Sequence, residues 1–416
     1  MSERKVPKLR FAGFTDDWKQ RKLGEVVFQI KSYSLSRNVE TNKDTGFKYV
    51  HYGDIHRNIA KLLSSENNLP SIQKGNYEFL QKGDLVIADA SEDYEGIGNS
   101  CLIDCFLSRN IVAGLHTIAL RPTEVNSLFL YYLLHTDIFL QYGKVIATGT
   151  KVFGITAKNL LNFEFNLPSE TEQQAIGEFF KQLDNTIAFH QREWEKYKNL
   201  KISYLEKMFP QENENKPQLR FPNFTDAWKQ RKLGEVVERV TRKNEKLSVF
   251  LPLTISAQNG LVAQTEFFDK QVVGKNLANY YLIEKGEFAY NKSYSNGYPL
   301  GAIKRLDKYE NGLLSILYIL FKPTKVNSQF LVAYYDSNHW HKAVSDIAVE
   351  GARNHGLLNI PTNEFFETQI FVPPTKAEQQ AIGEFFKQLD DTIAFHQREL
   401  EKYKNLKNGY LKQMFV

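Results

Sequence analysis

Few groupings of side chains in this sequence could do chemistry, and none completes a catalytic set. Methyl transfer to an amine needs an Asn/Asp-Pro-Pro-aromatic loop, whereas Pro373 and Pro374 stand between Val372 and Thr375. Gly96-Ile97-Gly98 is followed by polar residues without a helical pattern, so it reads as a loop and not as a dinucleotide turn. No G-x4-G-K-[ST] run is present for nucleotide hydrolysis. Asp16-Asp17 and Glu92-Asp93 lack a lysine in a nuclease arrangement and read as a helix start and an exposed turn. Cys101 and Cys105 form one C-x3-C, without the second pair that zinc would need. The expectation is a chain that is no enzyme and holds no metal.

Reading of nucleic acid has better candidates. Polar loops in the first half carry Lys31, Arg37 and Asn38, then Ser91 and Tyr94, then Thr150 and Lys151. The second half carries Arg242, Lys243 and Asn244, then Asn291, Lys292, Ser293 and Tyr294, then Arg353 and Asn354. Arg, Lys, Asn and Ser bond base edges and phosphates, and Tyr can stack or touch the backbone. Any one such loop is as well explained as a solvated turn, since Asn, Ser and Gly favour turns. The set, placed on two domains at opposite ends of one rod, favours DNA.

These loops need a scaffold, and the sequence supplies it by repeating itself. Residues 7–27, PKLRFAGFTDDWKQRKLGEVV, return at 217–237 with four differences in 21 positions. Residues 172–209 return at 378–415 with six differences in 38. The stretches between, 28–171 and 238–377, are nearly unrelated, apart from an echo of P-T-x-V-N-S at 122–127 and 323–328. The order is a frame, an insert and a helix, given twice, with a proline-bracketed polar linker at 210–217.

The inserts read as sheet-rich. Residues 46–51, 83–88 and 115–120, and then 248–255, 287–290, 313–321 and 369–372, are short, β-branched or aromatic, and bounded by turn residues. Residues 128–136 and 330–336 read as helices capped by the serine of the echo. Trp18 and Trp228, in the two frames, are expected to pack within their own domains.

The repeated helix carries a seam with steps of four and three. In the first copy it runs Ile176, Phe180, Leu183, Ile187, His190, Trp194, Tyr197, Lys201, Tyr204 and Met208. In the second it runs Ile382, Phe386, Leu389, Ile393, His396, Leu400, Tyr403, Lys407, Tyr410 and Met414. At 1.5 Å per residue each helix is a rod of about 57 Å that cannot bury its seam alone. The copies are natural antiparallel partners, and Phe179, Phe189, Leu200, Leu205 and Phe209 widen the stripe enough for helices of another subunit to join. His190 and His396 are read as polar residues fixing register, because no second ligand lies at metal spacing. The fold class is therefore α+β, two sheet-rich recognition domains joined by two long antiparallel helices in a pseudo-twofold repeat.

Composition adds little but agrees. The chain has 53 Lys+Arg against 48 Asp+Glu, two Cys and 24% charged residues. Each long helix carries six acidic and six basic residues, so the +5 excess lies outside the helices. The longest apolar run, 312–321, is too short to span a bilayer, and MSERKVPKLR lacks the apolar core of a signal peptide. A cytoplasmic location without a membrane is expected.

The two F-T-x-x-W-K-Q-R-K-L-G-E-V segments and the two P-x-x-x-E-Q-Q-A-I-G-E-F-F-K-Q-L-D helix starts closely resemble the specificity subunit of type I restriction-modification enzymes. Residues Glu172, Gln173, Ile176, Leu183 and Asp184, and again Glu378, Gln379, Ile382, Leu389 and Asp390, fit the pattern in both halves. The resemblance covers essentially the whole chain and is weak in the inserts. It implies target recognition domains at 1–171 and 217–377, a central helix at 172–209 and a C-terminal helix at 378–416. Each domain would read one half of a bipartite, asymmetric site on double-stranded DNA, with the paired helices setting the spacer. Two methyltransferase subunits would dock on the frame and supply S-adenosylmethionine chemistry on adenine. Translocase-nuclease subunits, using ATP and Mg, would complete the restricting complex. The competing reading is a coiled-coil scaffold with two protein-binding inserts.

Overall fold

The computed structural model describes residues 6–57, 61–65, 69–256, 259–267, 277–293, 297–348 and 358–416. The chain forms two units, one of residues 1–191 with 398–416 and one of residues 192–397.

In the first unit the strands Val27–Ile30, Thr117–Pro122, Leu85–Ala88, Ser100–Ile103 and Leu62–Leu63 lie side by side in that order. All four residues of Leu85–Ala88 and of Ser100–Ile103 are buried, so this sheet is covered on both faces. The alternation is strict. Leu85, Ile87, Leu102, Ile118 and Leu120 enter one core, while Val86, Ala88, Cys101, Ile103 and Ala119 enter another. A second sheet orders Asn110–Ala113, Phe47–Val50, Ser71–Ile72 and Glu40–Thr41. The repeated frame contributes Lys19–Lys22, which pairs with Glu164–Leu167. Asp16-Asp17 thus precedes a strand, contrary to the expected helix start.

The second unit repeats four strands of this main sheet, although its insert is unrelated in sequence and its other strands form two-stranded pairs. Its main sheet orders Val237–Val240, Ile319–Pro323, Phe288–Asn291 and Ala302–Arg305. The registers coincide. Ala119 faces Ile30 and Val86, just as Leu320 faces Val240 and Ala289. Val86 faces Cys101, just as Ala289 faces Lys304. The frame strand Lys229–Lys232 pairs with Gln369–Val372. One expectation fails here: residues 313–321 are not one strand. The apolar run divides into Asn311–Leu314 and Ile319–Pro323, strands of different sheets, with a turn at Ile316-Leu317.

The helices after the echo run Ser127–Leu133 and Ser328–Asp336. Their caps are Asn126 and Asn327, not the serines one position later. Asn126 Oδ1 accepts from the Phe129 amide at 3.1 Å, and Asn327 Oδ1 from the Gln329 and Phe330 amides at 2.9 and 3.0 Å.

The long helices Glu170–Lys207 and Lys376–Gln413 are fastened at their starts by the E-Q-Q-A-I-G motif. Arg10 clasps Glu172 with two bonds of 2.6 and 2.7 Å, and Arg220 clasps Glu378 with bonds of 2.6 and 2.8 Å. Both glutamates are buried, so charge-assisted bidentate pairing has to offset their desolvation. Gln173 accepts from the Asn126 amide and donates to the Pro168 carbonyl, and Gln379 does the same with Asn327 and Pro373. Glycine at the next turn lets the helix come close. A Cβ on Gly177 would lie 2.7 Å from Leu128 Cβ, and one on Gly383 would lie 2.8 Å from Gln329.

Within each unit the two helices run antiparallel. In the first, Phe179 meets Tyr410, Asp184 takes Lys407 at 2.5 Å, and His190 stacks on Tyr403 with centroids 5.6 Å apart. In the second, Tyr204 meets Phe385, Lys201 reaches Asp390 at 2.6 Å, and Tyr197 stacks on His396 at 5.7 Å. Of the seam residues, Ile176, Phe180, Ile382, Phe386 and Leu400 are buried, while Leu183, Ile187, Trp194, Tyr197, Leu389, Ile393 and Tyr403 are half-buried. Met414 and Phe415 join the core of the first unit with Trp18, Phe129 and Phe180. Met208 and Phe209 join that of the second with Trp228, Phe330 and Phe386. Both tryptophans are 3% exposed, which fits packing within their own domains.

The units differ where the helix pair meets the insert. In the second, Asp336 binds both Lys201 and Lys304, at 2.7 and 2.6 Å. In the first, Asp184 accepts from the Tyr132 hydroxyl at 2.8 Å. Nearby, burial lowers the His135 imidazole to about 4, against the opposing bond from Nδ1 to the Tyr131 carbonyl.

Two outcomes follow for stability. Gly177→Ala and Gly383→Ala should each cost about 1–3 kcal/mol through overpacking, whereas Gly409→Ala, with nothing within 4 Å of the new Cβ, should stabilise by ~1 kcal/mol; calorimetric melting compares them. Because neutral His135 is held in the folded state, the unfolded chain takes up a proton first as pH falls below its ordinary value of 6.5. The first unit should lose up to about 3 kcal/mol between there and pH ~4. His135→Gln should flatten that part of the pH–stability curve.

Candidate nucleic-acid interface

The registers determine which loops share an end of each insert. In the first unit, Thr117 pairs with Ala88 and Ala119 with Ile30, so the chain before Thr117 lies between the segments after Ile30 and after Ala88. The Asp89 amide donates to the His116 carbonyl at 3.1 Å, and Tyr33 and Ser32 pair with Ala113. Ala90–Ser91 pairs with Phe153–Gly154. Ser91, Tyr94, Thr150 and Lys151, scattered in sequence, are thereby brought together beside the turn at Leu115-His116. Tyr94 is 46% exposed, its ring 4.0 Å from that of Phe153. Thr150 and Lys151 are exposed, while Ser91 is buried, its hydroxyl accepting from the Asp93 amide.

Lys31 is exposed on the neighbouring segment, its ammonium 5.1 Å over the Tyr33 ring. Arg37 departs from its expected role. Its guanidinium is filled by Asp54 at 2.8 Å and Glu40 at 2.6 Å, so it holds the loop instead of offering a free fork. Asn38 accepts from the Ser36 hydroxyl, in a local turn.

The second unit offers a like end. By register, the residues after Val240 and after Asn291 flank those before Ile319. Lys243 is exposed, and its backbone bridges to Tyr281. Arg242 is held by Glu287 at 2.9 Å and Glu284 at 3.4 Å, again a loop-fixing pair. Asn244 is 1% exposed; its amide donates to the Val249 carbonyl and its oxygen accepts from the Val249 amide. It closes the 244–249 turn and cannot reach a base edge. Asn291 accepts from the Ser293 amide, and both are half-buried. Lys292 is half-buried without a carboxylate among the described residues, and burial lowers its pKa. Its carbonyl accepts from the Leu358 amide, as that of Asp89 accepts from Ile155. Tyr294, Arg353 and Asn354 lie outside the described residues.

The sequence reading missed the turns in the middle of both ends. In the first unit the tip is Leu115-His116. His116 has a positive φ of 55° and bonds Asp89 at 3.2 Å, with Tyr52 edge-on at 5.3 Å. Burial pushes the Asp89 carboxyl up, with His116 opposing. The signal in the sequence was slight, a lone histidine after glycine and leucine. In the second unit the tip lay hidden in an apolar run. Among the described residues no group of three or more His, Cys, Asp or Glu could hold a metal ion, and no helix is long and apolar enough to cross a membrane.

A frame given twice carries two sheet domains whose main sheets share a register and whose loops differ. Residues 15–198 match the type I restriction modification DNA specificity domain. The type I restriction enzyme MjaVIII specificity subunit of Methanocaldococcus jannaschii is 22% identical over 413 residues, 94% of this chain and 90% of that one. The crystal structure of the type I restriction-modification S subunit from M. genitalium covers 99% of both chains, with a TM-score of 0.60 and 16% identity; at that identity the likeness speaks for the fold. The resemblance drawn from the repeat thus agrees with the domain matched over residues 15–198 and with the MjaVIII relative.

The site predicts a division of labour between side chains. Asn244→Ala should destabilise the second unit by about 2–3 kcal/mol, because two buried backbone groups of Val249 lose their partner. Lys151→Ala should leave stability unchanged, weaken DNA binding and reduce the salt slope of the affinity by about 1. Chemical denaturation and a salt titration of binding separate the two effects.

Proposed function

We propose that this chain is the DNA sequence-specificity subunit of a type I restriction-modification complex and carries no catalysis itself. Each recognition domain reads one half of a bipartite, asymmetric target. The observation that carries this reading is the pairing of identical register with different loop chemistry. Two domains share the order and pairing of four main-sheet strands and the Arg–Glu clasp to a helix start, yet differ at nearly every residue of their reading ends. A scaffold that only bound proteins would not need two unlike inserts held in one frame.

In this reading the paired helices set the spacer. Each has 38 residues, or about 57 Å of length at 1.5 Å per residue, longer than the roughly 34–36 Å of one turn of B-DNA. The near-identical helices and frames give equivalent surfaces to two methyltransferase subunits, with Phe189 and its counterpart Phe395 exposed on the helices. Those partners supply S-adenosylmethionine and the methylation of adenine; restriction subunits supply ATP- and Mg-dependent translocation and cleavage.

Methylome sequencing of cells expressing the chain with its methyltransferase partner should show a split, adenine-methylated motif. Exchange of residues 28–171 for another insert should change one half of the motif only. A change in both halves, or no split motif from an active complex, would remove the modular reading.

A further inference from the structure

The turn at Ile316-Leu317 places two large apolar side chains where chain-reversal chemistry does not want them. Turns are made by Gly, Asn, Asp, Pro and Ser, and β-branched residues are poor in them. Yet Ile316 is 61% and Leu317 54% exposed, while the residues on either side, Leu313, Leu314, Ile319 and Leu320, are buried. Folding therefore gains little from either residue being apolar. The equivalent turn of the first unit carries Leu115-His116, so the position does not demand an apolar pair.

The surroundings of this tip are cationic and polar. Strand register sets Lys292 on one side of it and Lys243 on the other, with Arg242 held by Glu284 and Glu287. Tyr318, next in the chain, is half-buried and its hydroxyl lies 3.5 Å from Thr254 Oγ1, which anchors the base of the turn. The result is an apolar knob between basic flanks, at the centre of the second domain's reading end. In the DNA major groove only one base offers an apolar group, the C5-methyl of thymine. Lysines beside the knob suit the phosphates that would bound such a contact.

We infer that Ile316 and Leu317 are specificity-determining residues of the second domain, which contact the 5-methyl group of a thymine in the half-site that this domain reads. The inference rests on the reading of the chain as a DNA-specificity subunit. It predicts that this half-site contains an A·T pair recognised through its methyl group, and that the other half-site is indifferent to changes at the tip.

The test uses the full chain assembled with its methyltransferase subunits, on a duplex carrying the motif found by methylome sequencing. Each thymine of the half-site is replaced in turn by deoxyuridine, which removes only the methyl group. One replacement in the half assigned to residues 238–377 should weaken binding roughly fourfold. The Ile316→Ser/Leu317→Ser double variant should lose that sensitivity and relax the same position in the methylated motif, leaving the other half unchanged. Uridine replacement that is neutral at every thymine of that half, a half-site without A·T pairs, or a variant that keeps the uridine effect would each overturn the inference while the split motif stands. Absence of any split motif would instead overturn the reading beneath it. The uridine series on the unaltered protein stands even where the double variant folds poorly.

Discussion

The buried clasp between an arginine of each frame and the first glutamate of each long helix is the constraint on which the rest depends. Glu172 and Glu378 are held nearly free of solvent, so removing Arg10 or Arg220 would leave a buried carboxylate without its bidentate partner. The adjacent glutamine then joins the helix start to the backbone of an asparagine that caps the next helix of the insert. Three segments far apart in sequence, frame, insert and rod, are thus fixed at one point in each unit. A sheet domain can change every loop residue without moving that point.

The clasp also explains why the frame repeats almost unchanged while the inserts diverge. Four of the six residues of E-Q-Q-A-I-G have a stated contact: the Glu to Arg, the first Gln to Asn and Pro, the Ile into the core, and the Gly against the neighbouring helix. Such a surface tolerates few substitutions. The strands of the inserts ask only for buried, β-branched side chains in alternation, a demand that many sequences meet.

This difference sets what the sequence could disclose. The repeat and the heptad spacing made the rods, their antiparallel pairing and the seam lysines legible, because each is written in a regular pattern. The equality of the two inserts was not legible, since Ala119 and Leu320, or Cys101 and Lys304, share a register without sharing chemistry. Candidate readers chosen by residue type divided in two. Lys31, Tyr94, Thr150, Lys151 and Lys243 are exposed, whereas Arg37, Arg242 and Asn244 hold their own loops together. Composition gives no sign of which arginine has a carboxylate waiting. The turn at Ile316-Leu317 escaped for the opposite reason, as an apolar run looks like a strand until its ends are found in different sheets.

Residues 398–416 belong to the first unit, where Met414 and Phe415 pack with Trp18 and Phe129, whereas the second unit is built from the continuous stretch 192–397. On the ribosome the order of completion is therefore inverted. The second unit has all its parts before the first, whose core stays open until residues 398–416 have left the exit tunnel. A frameshift or stop codon soon after residue 397 would leave the later-made unit whole and damage the earlier-made one. Lesions in residues 398–416 would then be felt in the unit that is otherwise made first.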